Sequence, residues 1–193
     1  MPAGMEIATW CWAGFFAYWL IAARKTKQVR ERESIFSRLS YFLPSMAAGY
    51  LMFARRLPWS DLTRPWLATS VVVEGLGLVL IVGGLGFAVW ARLHLGQNWS
   101  GTVTVKVNHE LIRSGPYAWV RHPIYSGMLL AMAGTALENR ELRGVIATLL
   151  LVTAFWMKSR IEDAAMARTF GAEYEGYRRS TGALIPHFSR RPA

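Results

Sequence analysis

The sequence is poor in cysteine, in acidic residues and in the signatures of soluble catalysis. Cys11 is the single cysteine among 193 residues, so disulfides and thiolate metal sites are excluded by count. His109 and His122 lie 13 residues apart with no HExxH pattern, which leaves no basis for a metal site. No GxSxG elbow offers a serine nucleophile. Gly83, Gly84 and Gly86 fall inside an apolar run with no strand before them, so they read as close helix packing and not as a dinucleotide loop. Internal repeats and low-complexity tracts are also missing.

What is present is grease and positive charge. The chain is 53% hydrophobic, and 22 Lys and Arg face 12 Asp and Glu for a formal net charge of +10. The apolar residues gather into long blocks separated by basic connectors, the pattern of a membrane protein. The first block, Met5 to Ala23, is followed and not preceded by its positive charges and has no small-x-small cleavage site, so it reads as a span and not as a signal peptide. The second, Leu39 to Ala54, contains Pro44, which invites a kink. The third, Leu67 to Trp90, has Glu74 as its only charge. Two 14-residue runs, Ile124 to Leu137 and Gly144 to Met157, flank ENRELR. At about 21 Å each as helices, they fit a tight hairpin better than two independent spans. The expected fold is an all-α integral membrane protein of about five transmembrane helices, the last two a helical hairpin.

Charge placement then predicts orientation. Seventeen of the 22 Lys and Arg fall in the connector 24–38, the segment 92–121 and the tail from Lys158. By the positive-inside rule these face the cytoplasm, with the N-terminus outside. The same excess could serve nucleic acid, but basic residues that flank apolar blocks suit anchoring to anionic membrane lipids, and no nucleic-acid partner is expected.

Two polar stretches on that side are too long to be mere connectors. In residues 92–123, TVTVKV alternates as a strand should, and HELIRSGPY reads as a turn closing a small hairpin or loop. In the tail, apolar and charged residues recur at helical spacing up to Gly171. Between them, RHPIY places Pro123 where a helix would begin. Free amides there, beside Arg121 and His122, would suit a carboxylate or phosphate at membrane depth. The competing reading has Arg121 and His122 snorkelling to headgroups while Tyr117, Trp119 and Tyr125 form an interfacial belt. Glu162 and Asp163 are either a solvated helix segment or acceptors for a ligand.

The succession LGQNWS, HELIRSGPYAWVRHPIYSG, an acidic pair and FGAEYEGYRRSTGALIP resembles the isoprenylcysteine carboxyl methyltransferase family and its relatives among phospholipid methyltransferases. The resemblance runs from Arg92 to the end, about half the chain. It implies an integral membrane enzyme using S-adenosylmethionine, with a cytoplasmic cofactor pocket built from the loop, the RHPxY turn and the helical tail. The apolar blocks give a two-helix membrane region over residues 1–66, which carries no family signature, and with the resemblance the expected methyltransferase core is 67–193 (third span, loop, hairpin and tail), acting on a lipophilic or prenylated substrate. The family's cofactor-binding positions fall on His109, Glu110, Leu111, Ile112, Tyr117, His122, Pro123, Ile124, Tyr125 and Glu162, with Arg121 beside them. The family's arginine four residues before the glutamate is Lys158 here, with Arg160 two residues on; these two are the expected catalytic pair. Lysine keeps the charge but loses the planar fork. A group of steroid-type membrane reductases shares an RHPxY-like turn and binds a nicotinamide cofactor, but has Asn and Glu where this chain has Ile124 and Met128. A non-enzymatic scaffold or transporter is the remaining alternative, with Glu74 as its one intramembrane charge.

Overall fold

A computed structural model describes residues 3–24, 29–54, 56–99, 104–106 and 110–187. Each of the five apolar blocks falls largely in a helix: α1 (Ala3–Ala22), α2 (Ile35–Phe53), α3 (Val71–Leu95), α4 (Pro123–Asn139) and α5 (Leu142–Phe170). A short α6 (Ala172–Ser180) follows. The helix α2 runs through Pro44, and its first turn is capped by Ser34, whose hydroxyl accepts from the Ser37 amide at 3.2 Å. The helix α5 extends 13 residues past the apolar run that ends at Met157 and stops at Gly171, whose φ of 53° favours glycine.

The fold is not wholly helical. Two short strands, β1 (Val29–Arg32) and β2 (Thr104–Lys106), pair antiparallel with Arg32 opposite Thr104 and Val29 opposite Lys106. Thus TVTVKV does hold a strand, but its partner lies in the connector after α1 and not in a local hairpin.

The core draws on all five long helices: Trp12 and Phe15 of α1, Met52 of α2, Ile81 and Leu85 of α3, Met132 of α4, and Leu151 and Phe155 of α5. Within it the Trp12 indole donates to Thr135 Oγ1 at 2.9 Å, satisfying both groups in an apolar setting. The closest helix contact is between α3 and α4. A Cβ on Gly84 would stand 2.5 Å from the Gly127 carbonyl oxygen, and one on Gly134 would stand 2.5 Å from that of Gly77. Small residues spaced seven apart on both helices therefore let the backbones touch. Gly83 and Gly86 play no such part, since nothing lies within 4 Å of a Cβ on either.

Outward, the helices present apolar surface. Val79 and Val82 on α3 and Leu149 on α5 are more than half exposed, and α3 and α5 are each long and apolar enough to cross a bilayer. Water is a poor solvent for such a surface and lipid a good one.

The connectors sort to the two ends of the bundle. At one end β1 pairs with β2, and the segment after α6 bonds to the start of α4. At the other, the Trp66 amide donates to the Arg140 carbonyl at 3.0 Å and the Leu142 amide to the Arg64 carbonyl at 3.1 Å. Glu74 belongs to this second end. It sits in the first turn of α3, which begins at Val71 and not at Leu67, and pairs with Arg140 at 3.0 Å.

Candidate cofactor cleft

The first of these ends holds a cleft, and its head is the start of α4. Proline at the first helical position costs nothing there, because the N–H it lacks would have had no intrahelical partner. The amides of Ile124 and Tyr125 also lie outside the helical ladder, whose first bond runs from Ser126 to the His122 carbonyl. The chain enters this turn as a short parallel bridge. The Arg121 and His122 amides donate to the carbonyls of Gly182 and Ala183 at 2.9 and 3.0 Å, so the tail after α6 holds the turn in place.

On α5, the acidic pair faces this turn. His122 points both ring nitrogens at carboxylates, Nε2 at Asp163 Oδ1 (2.8 Å) and Nδ1 at Glu162 Oε2 (3.3 Å). Only the doubly protonated ring donates to both. Burial works against that cation, but the hydrogen bonds and negative charge of Asp163 and Glu162 outweigh it, and the His122 pKa is raised above the ordinary imidazole value.

The two acids have different tasks. Asp163 is saturated: Arg121 approaches at 3.0 Å, Tyr174 donates at 2.5 Å, and His122 takes the remaining side. Arg121 also donates to the carbonyls of Arg178 and Thr181, so it straps the tail to the turn. Glu162 accepts from the Tyr125 hydroxyl at 2.7 Å and keeps 20% of its side chain exposed, toward the cleft. Tyr125 is itself sandwiched, parallel to His122 at 5.5 Å and stacked on Phe155 at 4.7 Å.

Of the residues expected from sequence, the cleft brings together Glu110, Leu111, Ile112, Tyr117, Arg121, His122, Pro123, Ile124, Tyr125 and Glu162. His109 lies outside the described residues. Lys158 and Arg160 are not in the cleft lining. Lys158 is buried one turn before Glu162, its Nζ 4.9 Å from the Tyr41 ring and 5.4 Å from the Tyr125 ring. Arg160 is exposed over Trp156 at 6.0 Å. Two residues on a helix subtend about 200°, so Arg160 cannot share a face with Lys158 and Glu162, which are one turn apart. It is therefore no partner of Lys158 at this site.

Sequence reasoning missed Leu95, Asn98, Trp99, Met166, Tyr174 and Tyr177, which complete the wall. Met166 was within reach, being one turn past Glu162 on the same helix. Tyr174 and Tyr177 share the inner face of α6, and the Tyr177 hydroxyl donates to the Tyr117 carbonyl at 2.6 Å.

Apolar and aromatic walls, a partly exposed carboxylate and the first-turn amides of α4 give the cleft a place for a cation and a place for an anion. The carboxylate and ring faces attract the cation, and the helix start attracts the anion. Fold and cleft together define a bundle of helices, two of them long and apolar enough to cross a membrane, with a cleft at one end.

The chain belongs to the phospholipid methyltransferase family, whose model matches residues 72–173. It is 26% identical over 152 residues to a mouse protein-S-isoprenylcysteine O-methyltransferase, covering 77% of this chain and 52% of that protein. It is 27% identical over 172 residues to a probable protein-S-isoprenylcysteine O-methyltransferase of Oryza sativa subsp. indica, covering 88% of this chain and 87% of the rice protein. Its fold is similar to that of a solved eukaryotic intramembrane Ras methyltransferase, isoprenylcysteine carboxyl methyltransferase. The TM-score is 0.57 and the identity 24%, over 79% of this chain and 50% of that one. The chain spans about half the length of the mouse relative and of that structure.

Proposed function

We propose that this protein is an integral membrane methyltransferase that takes its methyl group from S-adenosylmethionine and passes it to a lipophilic acceptor, a carboxylate as in the named relatives. The observation that carries the reading is the triangle of His122, Tyr125 and Glu162 at the start of α4, within the segment that the family model matches.

S-adenosylmethionine supplies an electrophilic methyl on a sulfonium. Glu162, with one face open to the cleft, holds a cationic or hydroxyl part of it, and Tyr125 and His122 fix that carboxylate in place. The first-turn amides of α4 receive its carboxylate end. Glu110, Leu111, Ile112 and Tyr117 close the other wall, and Arg121 keeps the tail shut over the turn. On the acceptor side, the buried ammonium of Lys158, held between the rings of Tyr41 and Tyr125, attracts the acceptor's anionic group toward the methyl. Transfer of that methyl to a carboxylate oxygen would break the carbon–sulfur bond as the carbon–oxygen bond forms, leaving S-adenosylhomocysteine as a neutral thioether and the acceptor as a methyl ester. A carboxylate acceptor has no proton to lose, so no general base is required, and alignment supplies the acceleration. The acceptor enters from lipid as a prenylated or other lipophilic molecule, and the cleft faces the cytoplasm, where the positive-inside rule puts the basic connectors.

Calorimetry on the detergent-purified protein tests this reading. Expected is binding of S-adenosylmethionine, weakened at least tenfold by His122→Ala and by Glu162→Gln, with no binding of NADPH. Binding of NADPH alone would replace the reading with a reductase. Binding of neither by a folded sample would remove the proposed chemistry altogether.

A further inference from the structure

Asn98 ends the short 3-10 turn Gly96–Asn98 that follows α3, and its side chain lines the cleft. Its Oδ1 is buried and has no hydrogen-bond partner among the described residues. A buried acceptor left without a donor is rare in native proteins and needs an explanation. Its neighbours narrow what the donor is. Leu95, Trp99, Leu111 and Ile112 make this the apolar part of the cleft. Trp99 is held in place, edge-to-face with Trp19 at 5.4 Å between centroids and with the Arg92 guanidinium 4.5 Å over its ring. Arg92 is tied down in turn by the carbonyls of Gly96 and Ala22, each at 2.7 Å. This fixed cation disfavours an ammonium beside Asn98, whereas Glu162 attracts one elsewhere in the cleft. A rigid indole and aliphatic walls suit a flat heteroaromatic ring. A carboxamide, with acceptor and donor side by side, is the complement of adenine's exocyclic amine and neighbouring ring nitrogen.

We infer that Asn98 reads the adenine of the cofactor, its Oδ1 accepting from the 6-amino group while Trp99 supplies the aromatic wall. The inference rests on the proposed use of S-adenosylmethionine and assigns the base its place within that site.

The test measures binding, not turnover. Calorimetry would compare S-adenosylhomocysteine with its analogue in which unsubstituted purine, lacking the 6-amino group, replaces adenine. Wild-type protein is expected to bind the adenine compound about tenfold more tightly. Asn98→Ala, with Asn98→Ser as a second and smaller change, is expected to bind both compounds equally, at the affinity of the analogue. Equal binding of the two by wild type, which needs no variant to fold, would overturn the inference and leave methyl-donor binding standing. So would a preference that survives in both variants. Failure of folded wild type to bind either compound would overturn the cofactor reading and this inference with it.

Discussion

At the residue scale, the chemistry of the cleft turns on the charge of His122. Its two nitrogens face two carboxylates, and its pKa is raised. A raised histidine pKa gives stability that is fully present below the unfolded value of about 6.5 and is lost as pH climbs through the higher folded value. The thermal midpoint of wild type should therefore exceed that of His122→Asn at pH 6, with the gap narrowing as pH rises past neutrality. A gap that widens in that direction would show that the ring is neutral in the fold. The same residues show what sequence can carry. RHPIY was legible because proline at a helix start is a local signal, and Glu162 because its helical spacing continues past the apolar run. That Asp163 is consumed by Arg121, His122 and Tyr174 was not legible, since those partners come from two other segments. Lys158 and Arg160 looked interchangeable in the linear sequence and are separated by helix geometry alone.

At the scale of elements, hydrophobic length located the five long helices, because an apolar run reports its own burial or its contact with lipid. Hydropathy alone ends the apolar run at Met157, and only the helical spacing of apolar and charged residues up to Gly171 marks the rest of the 29-residue α5, whose buried Asp163 bonds to Arg121, His122 and Tyr174. Nor could hydropathy pair β1 with β2, which lie some 70 residues apart and whose match depends on where α1 and α3 end. The glycines of α3 separate in the same way. Gly84 faces the backbone of α4, so Gly84→Leu should drive the helices apart and lower the thermal midpoint in detergent sharply, or prevent folding. Gly83→Ala meets nothing and removes a poor helix former, so it should be neutral or stabilising by up to about 1 kcal/mol. If both substitutions had equal effects, the close contact between α3 and α4 would be wrong.

At the scale of the whole molecule, the two ends of the bundle differ in composition as well as in structure. By sequence, segments 24–38, 92–121 and 158–193 hold seventeen of the 22 Lys and Arg, and among the described residues the β1–β2 pair and the bonds from the Arg121–His122 turn to Gly182 and Ala183 bring parts of all three to the end with the cleft. Arg64, Arg140 and Arg143 lie at the other end, where Arg64 pairs with Asp61, Arg140 with Glu74 and Arg143 with Glu141. Ion pairs occur at both ends, so the asymmetry lies in the number of Lys and Arg per segment, which is what sets orientation in a membrane. Single cysteines test it in intact cells after Cys11→Ser has removed the native thiol. Asp61→Cys and Glu175→Cys place exposed thiols at the two ends, on side chains 73% and 42% exposed. A membrane-impermeant maleimide should label the first directly and the second only after permeabilisation. Reversed labelling would put the cleft outside and deprive it of a cytoplasmic methyl donor, while labelling of both from outside would mean that the two ends do not lie on opposite sides of the membrane.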